Sequence, residues 1–535
     1  MLRIRLLIAC CLLSAPHCIS QPKLVVGIVV DQMRFDYIDK YWSKFGEGGF
    51  KRLVKEGYNC RNTNYNYVPT FTAPGHASIY TGATPSVHGI VSNEWVNKST
   101  LKKIYCVYDS SRTSVGGKGL GGQMSPVNLI SSTVGEELRK KYNQESKVIG
   151  IALKDRGAIL PAGHGANAAY WFDGSTGNWI TSTYYMNELP AWVTEFNKKE
   201  LVKKYLLQTW TPLLPDPEYT LRDIRDTACE TAFKGKQRAM FPYVLPELMK
   251  LNGELGLIRS TPFGNSFTRD FAIETIRNEK MGKGAVPDML CVSFSSTDYI
   301  GHQFGPQSVE VEDCYLRLDE IISELLTFLD EWVGKNNVLV FLTADHGAAE
   351  SINCGTDKSK PRGLLQEKAI ADSVKRWLLT GFKDSIPLVV NDFDVYLDSA
   401  RIVRMKHGFG DVRSEAMLCL QAMNGIEDAF FAGYMRSIET PSHKMVKAGF
   451  YAGRSGDVTF ILKPNWLQDF PKGTSHGSPY EYDTHVPLVW WGYKVVPGSS
   501  EEALAITQIA PTLSALLKIP VPADCNARAI VSLIK

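Results

Sequence analysis

This sequence lacks the features that mark membrane, nucleic-acid-binding and disordered proteins. Beyond the first 20 residues, no segment approaches the roughly 20 consecutive apolar residues that a membrane-spanning helix needs. The 535 residues carry a formal net charge of +3 without a basic block, which gives no support for a nucleic-acid-binding surface. What remains is an ordinary globular composition, 44% apolar and 21% charged, in a chain long enough for a large core.

The first 20 residues have the pattern of a secretory signal peptide. Arg3 and Arg5 precede the apolar run 6–13, and small residues follow up to Ser20. We therefore expect an exported protein, periplasmic or secreted, that has no transmembrane segment and works as a monomer. Export is compatible with disulfides, but the number of cysteines cannot assign their partners.

Short apolar runs alternate with helical patterns along much of the chain. The apolar runs lie at 23–30, 147–153, 287–294, 337–342 and 486–491, and the helical patterns at 133–142, 308–333 and 505–517. This alternation predicts an α/β core, a mostly parallel central sheet with helices on both faces. We expect a single domain over residues 21–535.

Two stretches, about 165–285 and about 355–470, break this rhythm and are interpreted as insertions. Both are rich in aromatic residues, proline and glycine. The second contains helical patterns near 365–379 and 414–423 and strand-like runs at 386–390 and 457–462. It is expected to form a small α+β cap over the site.

Carboxylates and imidazoles occur where predicted strands end. Asp31 ends the first apolar run, and Asp345 and His346 follow the run at 337–342. Ligands gather at such strand ends in open α/β sheets. Asp298 and His302 are four residues apart, so a helical turn would place them on one face. These residue types favour zinc, and two zinc ions can serve both ends of an in-line displacement at phosphorus.

A hydroxyl that could attack phosphorus lies in the segment 68–82. Pro74 stands where the first position of a helix is expected, which places Thr72 near the N-cap. Backbone N–H groups there attract anions and would help to lower the pKa of a hydroxyl beside a metal. The alternative is that Thr72 only caps the helix.

Several runs together resemble the alkaline phosphatase superfamily, and within it the PafA-type alkaline phosphatases. They are TFTAPGHASIYTGATPSVHGIVSNEW, ALKDRGAILPAGH, SSTDYIGHQFGP, TADHG and TSHGSPYEYDTHVPL. The resemblance covers nearly the whole mature chain, and as a set the motifs are highly specific. It implies an exported phosphomonoesterase with two zinc ions.

The resemblance also implies roles for individual residues. One zinc would be held by Asp298, His302 and His476, and the other by Asp31, Asp345 and His346 with Thr72 bound to it. Thr72 would attack phosphorus to form a phosphothreonine, which a hydroxide on the first zinc would hydrolyse to release inorganic phosphate.

Asn93, Lys154 and Arg156 match the family residues that bind phosphoryl oxygens. Without the resemblance, Lys154 and Arg156 would be interpreted as part of a solvated loop. Added cations favour a monoester, which has more charged oxygens than a diester, so phosphate monoesters are the expected substrates and diesterase activity is expected to be weaker.

One ligand position and two other functional classes stay open. His476 and His485 compete for the last zinc position; His476 is preferred because its His-Gly context matches related phosphodiesterases. Nucleotide pyrophosphatase/phosphodiesterases would share the zinc ligands, the threonine and the asparagine, but not the Lys154 and Arg156 pair. Sulfatases and phosphoglycerate mutases fit poorly, since Thr72 replaces their nucleophile. A metal-binding homologue without turnover is the non-enzymatic alternative.

Overall fold

A ten-stranded mixed sheet forms the centre of the computed structural model, which describes residues 21–220, 229–354, 359–435 and 440–534. The predicted signal peptide lies outside these ranges. The strands are β1 (Leu24–Val30), β2 (Tyr58–Cys60), β3 (Ser114–Val115), β4 (Val148–Ala152), β5 (Ala168–Asp173), β6 (Asn178–Ser182), β7 (Asp288–Phe294), β8 (Val338–Thr343), β9 (Leu488–Gly492) and β10 (Gly498–Ser500). Their order across the sheet is β10-β2-β9-β8-β1-β7-β4-β5-β6-β3.

The middle of the sheet consists of parallel strands in the order β8-β1-β7-β4-β5. Every residue of β1, β7 and β8 is buried, as expected for strands covered on both faces. β1, β4, β7 and β8 correspond to four of the predicted apolar runs. The prediction of an α/β core around a largely parallel sheet is therefore confirmed.

The apolar run predicted at 486–491 does form a strand, β9, but it runs antiparallel to β8. The reason lies in the path of the chain. β8 ends at the edge where Asp345 lies, and the chain returns to the same edge through the segment that carries His476. A strand that starts from that edge must run away from it, and so opposite to β8.

Four helices position the residues discussed below: α1 (Thr72–Thr81), α2 (Asp155–Ala162), α3 (Ser296–Phe304) and α4 (Val309–Trp332). The hydroxyl of Ser308 accepts the N–H of Val311 at 3.1 Å and caps α4, whose bounds match the prediction. Other core helices are Tyr37–Tyr41, Phe50–Glu56, Pro85–His88, Val134–Lys141, Phe263–Asn278, Glu481–Thr484, Ile509–Leu517 and Val531–Ile534. Within the described ranges, no helix is long and apolar enough to cross a membrane.

The first predicted insertion begins inside the core, because β5 and β6 belong to the central sheet. Its later part consists of short elements, which are the helices Ala191–Lys198, Leu201–Leu206 and Leu245–Leu248 and the paired strands Thr209–Trp210 and Tyr243–Val244. Cys229 and Cys354 form a disulfide with their Cα atoms 5.8 Å apart. This disulfide links the first insertion to the segment that follows β8.

The second predicted insertion contains a four-stranded antiparallel sheet with its own apolar cluster. The strands are Leu388–Asn391, Asp394–Leu397, Val458–Leu462 and Ile426–Phe430. The helices are Glu367–Phe382, Ser399–Arg404, Phe409–Gln421, Ala432–Met435 and Pro441–Gly449. The predicted helical patterns and strand-like runs all correspond to these elements. We call residues 363–468 the cap.

Short strand pairs complete the described structure. They are Glu94–Val96 with Lys103–Tyr105, Gly363–Leu365 with Trp466–Gln468, and Thr63–Asn64 with His485–Val486 and Leu504–Ala505. Tyr105, from the first pair, contacts Arg156 in the site described next.

Candidate active site

Four adjacent parallel strands end at one edge of the sheet, and site residues follow each of them. Asp345 follows β8, Asp31 follows β1 and Lys154 follows β4. The strand between them, β7, leads into α3, which carries Asp298 and His302. Because adjacent parallel strands place their carboxyl ends side by side, residues far apart in sequence converge there, as the sequence predicts.

Two groups of side chains each offer ligand atoms within 4.8 Å of one another: Asp298, His302 and His476 in the first group, and Asp31, Asp298 and His346 in the second. Within α3, Nε2 of His302 lies 3.1 Å from Oδ1 of Asp298, so the predicted helical turn does bring this pair together. Asp298 belongs to both groups, and its carboxylate therefore lies between two possible metal positions.

Asp345, which the resemblance implies as a ligand together with Asp31 and His346, lies beside the second group. Its Oδ2 is 3.7 Å from Nε2 of His346, and its Oδ1 accepts the backbone N–H of Gln32 at 3.1 Å. Asp298 joins Asp31 and His346 in the close-set group, and Asp345 lies next to that group.

The three histidines of these groups all direct Nε2 toward the ligand cluster. Each Nδ1 is within hydrogen-bonding distance of a backbone carbonyl: 2.7 Å for His302 and Thr474, 2.9 Å for His346 and Gly347, and 2.8 Å for His476 and Thr70. A ring that donates through Nδ1 keeps the lone pair of Nε2 for a metal. Burial above all, with His302 nearby, lowers the pKa of His476 to about 3, so this ring is neutral.

The carboxylates of the site fit a set of metal ligands. Oδ1 of Asp31 and Oδ2 of Asp345 are buried and have no hydrogen-bond partner among the described residues. Burial raises the pKa of Asp31 to about 6, and burial together with Asp31 raises the pKa of Asp345 well above its ordinary value. Crowded buried carboxylates of this kind are stabilised in their charged form by cations.

Thr72 is the first residue of α1 and is buried beside the second group. Its Oγ1 lies 3.5 Å from Nε2 of His346 and 3.4 Å from the ammonium nitrogen of Lys154. The helix begins two residues earlier than Pro74 suggested, and Phe71 is its N-cap, without a side-chain capping bond. The hydroxyl of Thr72 therefore does not serve as a cap and faces the site.

Asn93 lies against the first turn of α1. Its Oδ1 accepts the backbone N–H of Ala73 at 2.9 Å. Because the carbonyl oxygen is used in this way, the amide NH₂ is the group that Asn93 can offer to an anion beside Thr72. Its position fits the oxygen-binding role that the resemblance implies.

Lys154 is a buried cation between the metal-type ligands. Its ammonium nitrogen lies 2.8 Å from Oδ2 of Asp31 and 2.5 Å from Oδ2 of Asp298. Burial disfavours an ammonium ion, but these two carboxylates outweigh it and hold the pKa of Lys154 above its ordinary value. Lys154 is thus charged and lies beside the Thr72 hydroxyl, so it is not part of a solvated loop.

Arg156, in the first turn of α2, is held by a residue that the sequence did not indicate. Its Nη1 donates to the hydroxyl oxygen of Tyr105 at 3.1 Å, and Tyr105 in turn donates to Asp155. The Nε of Arg156 is buried without a hydrogen-bond partner among the described residues. The guanidinium therefore retains a donor for a further acceptor.

The histidines outside the two groups have partners that explain them. Nε2 of His485, the alternative ligand, lies 2.8 Å from the carbonyl oxygen of Arg61, and its ring stacks on Phe35. His76 contacts the carbonyl of Thr72, and His88 and His164 contact Ser78 and Glu136. These contacts match the structural roles expected for His76, His88 and His164.

Gln32 is a site residue that sequence reasoning missed. Its Nε2 donates to Oδ1 of Asp298 at 2.8 Å, and its backbone has a left-handed conformation with φ of 63°. That conformation is uncommon for a residue with a side chain and directs both polar groups of Gln32 at site carboxylates. The only available signal was its position next to Asp31.

Two cap residues hold the segment around Asn93, and no sequence signal indicated them. Oδ2 of Asp392 accepts the hydroxyl of Ser92 at 2.6 Å. Nδ2 of Asn391 donates to the backbone carbonyl of Glu94 at 3.2 Å. The residues on both sides of Asn93 are therefore tied to the cap.

A family model described as type I phosphodiesterase / nucleotide pyrophosphatase matches residues 25–486. The chain belongs to this family. The relatives include a protein of Myroides odoratus named calcium-transporting ATPase, 44% identical over 96% of this chain and 95% of its own length. Alkaline phosphatase PafA of Elizabethkingia meningoseptica is 41% identical over 97% of this chain and 95% of its own length.

A crystal structure of alkaline phosphatase PafA superposes on this chain with a TM-score of 0.92, at 40% identity over 96% of this chain and 99% of that one. It is a variant with substitutions of a threonine, an asparagine, a lysine and an arginine. Within the family, the chain is thus a relative of the PafA-type alkaline phosphatases. The predicted fold and the predicted enzyme class, an alkaline phosphatase, are confirmed by these similarities.

Proposed function

We propose that this chain is an exported two-zinc alkaline phosphatase that hydrolyses phosphate monoesters through a phosphothreonine intermediate. The observation that carries the proposal is the position of the Thr72 hydroxyl. It is buried, 3.5 Å from Nε2 of His346 in the second group of metal-type ligands and 3.4 Å from the ammonium nitrogen of Lys154. A hydroxyl with metal ligands on one side and a cation on the other is in the setting of an activated nucleophile.

Mixed carboxylate and imidazole ligands suit zinc. One ion would be held by Asp298, His302 and His476, and the other by Asp31, Asp345 and His346. Zinc bound there would supply Lewis-acid chemistry, lowering the pKa of a coordinated hydroxyl and stabilising a departing oxygen.

The side chains of the protein supply the other steps. Oγ1 of Thr72 loses its proton to water and forms a bond to phosphorus while the bond from phosphorus to the ester oxygen breaks, and the departing oxygen takes a proton from water. The amide NH₂ of Asn93, the ammonium of Lys154 and the guanidinium of Arg156 donate to the phosphoryl oxygens. Water then cleaves the phosphothreonine, which releases inorganic phosphate and restores the Thr72 hydroxyl.

The cations of Lys154 and Arg156 support monoesters as the preferred substrates. A monoester has one more charged oxygen than a diester, and charge-assisted hydrogen bonds are roughly twice as strong as neutral ones. The PafA variant described above carries substitutions of the same four residue types as Thr72, Asn93, Lys154 and Arg156. The sequence intervals from the threonine to the asparagine and from the lysine to the arginine are the same in both chains, which supports the assignment.

The ratio of p-nitrophenyl phosphate to bis-p-nitrophenyl phosphate hydrolysis tests this function, with metal analysis of the same sample. We expect a strong preference for the monoester and two zinc ions per chain. A preference for the diester would favour the second candidate, a nucleotide pyrophosphatase/phosphodiesterase, which the description of the family model suggests. Bound metal without hydrolysis of either ester would indicate a non-catalytic homologue. Export to the periplasm or the medium and a monomeric state belong to the same proposal.

The contacts of Asp392 predict a positioning role for the cap. Replacing Asp392 by alanine frees Ser92 and should lower kcat/KM for monoesters about tenfold, by analogy with the effect of misplacing a catalytic group. In an Asn93→Ala background the same change should have almost no further effect, because the two residues act through one contact with substrate.

The control for Asp392 is Asp394→Asn, in the same hairpin. Asp394 accepts the hydroxyl of Thr459 within the cap and makes no contact with residues 92–94 among the described hydrogen bonds. Equal losses from Asp392→Ala with and without Asn93 would show that Asp392 does not act through Asn93.

A further inference from the structure

A groove of about 580 Å³ opens beside the first group of metal-type ligands. His302, a member of that group, and Tyr299, on the same helix, both line it. The ring centroid of Tyr299 also lies 5.3 Å from the ammonium nitrogen of Lys154. The groove therefore begins next to the phosphoryl-binding position of the proposed function, because Tyr299 contacts both the groove and Lys154.

The wall of the groove is tied to the helix that carries Asp298 and His302. The backbone N–H of Thr231 donates to the carbonyl of Gln303 at 2.9 Å, and Nε2 of Gln303 donates to the carbonyl of Thr231 at 3.1 Å. The Cys229–Cys354 disulfide lies two residues before Thr231. The first insertion thus forms one wall of the groove, and the two hydrogen bonds and the nearby disulfide hold this wall in place.

The opposite wall packs directly on the metal-type ligand. The ring of Phe470 stacks on His302, with centroids 5.0 Å apart. Gly473 has a φ of 68°, and a Cβ there would lie 1.8 Å from the carbonyl oxygen of His302. Only glycine allows the chain to approach α3 this closely. Both walls are therefore preformed, which suits a binding groove.

The groove carries positive charge. Lys234, from the first wall, and Lys472, from the second, both line it, and both side chains are exposed. No aspartate or glutamate is among its lining residues in the described part of the chain. Tyr299 and Phe470 add aromatic surface. Paired cations without a carboxylate attract anionic groups and oppose cationic ones.

We propose that this groove binds the leaving group of the substrate and selects phosphate esters whose leaving group carries a second anionic group, a carboxylate or a phosphate. The inference rests on the proposed function in one respect: the ester oxygen departs on the side of Asp298, His302 and His476. Since His302 lines the groove, the leaving group attached to that oxygen extends into it. Lys234 and Lys472 then pair with its second anionic group.

The test compares three aryl monoesters on the zinc-loaded enzyme: the phosphates of methyl 4-hydroxybenzoate and of 4-hydroxybenzoate, and hydroquinone bisphosphate. The first two differ mainly in one charge, and the third replaces the carboxylate by phosphate. In a Lys234→Gln, Lys472→Gln variant, kcat/KM for both anionic substrates should fall about fivefold, the scale expected for exposed ion pairs, and for the neutral ester less than twofold. Added salt should remove the difference in the wild type.

A Lys141→Gln, Lys375→Gln variant removes the same charge from exposed lysines that do not line the groove, and all three substrates should keep their wild-type rates. A larger loss for the bisphosphate than for the carboxylate would identify phosphate as the preferred second anion. Equal changes for charged and neutral esters in the groove variant would overturn the inference while leaving the proposed function intact. No hydrolysis of any of the three by the wild type would instead contradict the proposed function.

Discussion

Replacing Thr72 by alanine should abolish phosphatase turnover while the protein still folds and binds metal. The hydroxyl of Thr72 is the only group of α1 that lies between His346 and Lys154 in the described contacts. Without it no phosphothreonine can form, so we expect kcat to fall by about a thousandfold or more, the scale seen when a catalytic nucleophile is removed. Steady-state kinetics with p-nitrophenyl phosphate and zinc analysis of the same preparation measure both effects.

Two observations make the Thr72 result specific. Thr72→Ser keeps a hydroxyl at the same carbon and should retain a substantial part of the activity, with a phosphoserine trapped by acid quenching. Thr72 carries no capping bond, so the alanine variant should lose little stability. Wild-type rates in Thr72→Ala would remove Thr72 as the nucleophile, and loss of zinc from that variant would show that the hydroxyl is mainly a metal ligand.

Replacing Lys154 and Arg156 together by alanine should reduce monoester hydrolysis far more than diester hydrolysis. In the proposed mechanism each cation donates to oxygens that carry full charge only in the monoester, and removing one such donor typically costs about a hundredfold or more in rate. We therefore expect the ratio of monoester to diester kcat/KM to collapse by several orders of magnitude, measured with the two p-nitrophenyl esters.

The arrangement around these cations supplies the control. Tyr105 donates to Asp155 and accepts from Arg156, so Tyr105→Phe loosens the guanidinium without removing a charge. Tyr105→Phe should lower kcat/KM less than the double substitution does, and it should again lower it more for the monoester than for the diester. A uniform loss on both esters in the double variant would contradict the charge argument. Zinc analysis is needed here as well, because Lys154 contacts Asp31 and Asp298.

Much of the central fold could be predicted because parallel strands that are buried on both faces consist almost entirely of apolar residues. β1 and β8 are uninterrupted apolar runs, and the amphipathic pattern of α4 extends over its full length. The direction of β9 could not be predicted, because an apolar run looks the same in either direction. It depends on where the cap returns the chain to the sheet.

The part of the site that depends on residues close together in sequence could be predicted. The part that depends on contacts between distant segments could not. Asp298 and His302 share a helical turn, so their spacing alone indicated a common face. Asp298 also belongs to the second close-set group, which its spacing from His302 did not indicate. Tyr105 and Asp392 gave no signal, since neither belongs to a motif and a lone tyrosine or aspartate has many other uses.

The sequence by itself determined which side chains are available: carboxylates and imidazoles at strand ends and a threonine at the start of a helix. Side-chain chemistry and apolar periodicity are properties of each short segment, so both can be recognised without the tertiary structure. Which of these side chains meet, and at what distance, was decided only by the tertiary structure. Strand order places Asp345, Asp31 and Lys154 at one edge, although they are far apart along the chain. Closing such long loops depends on the packing of the whole core, and no local segment carries that information.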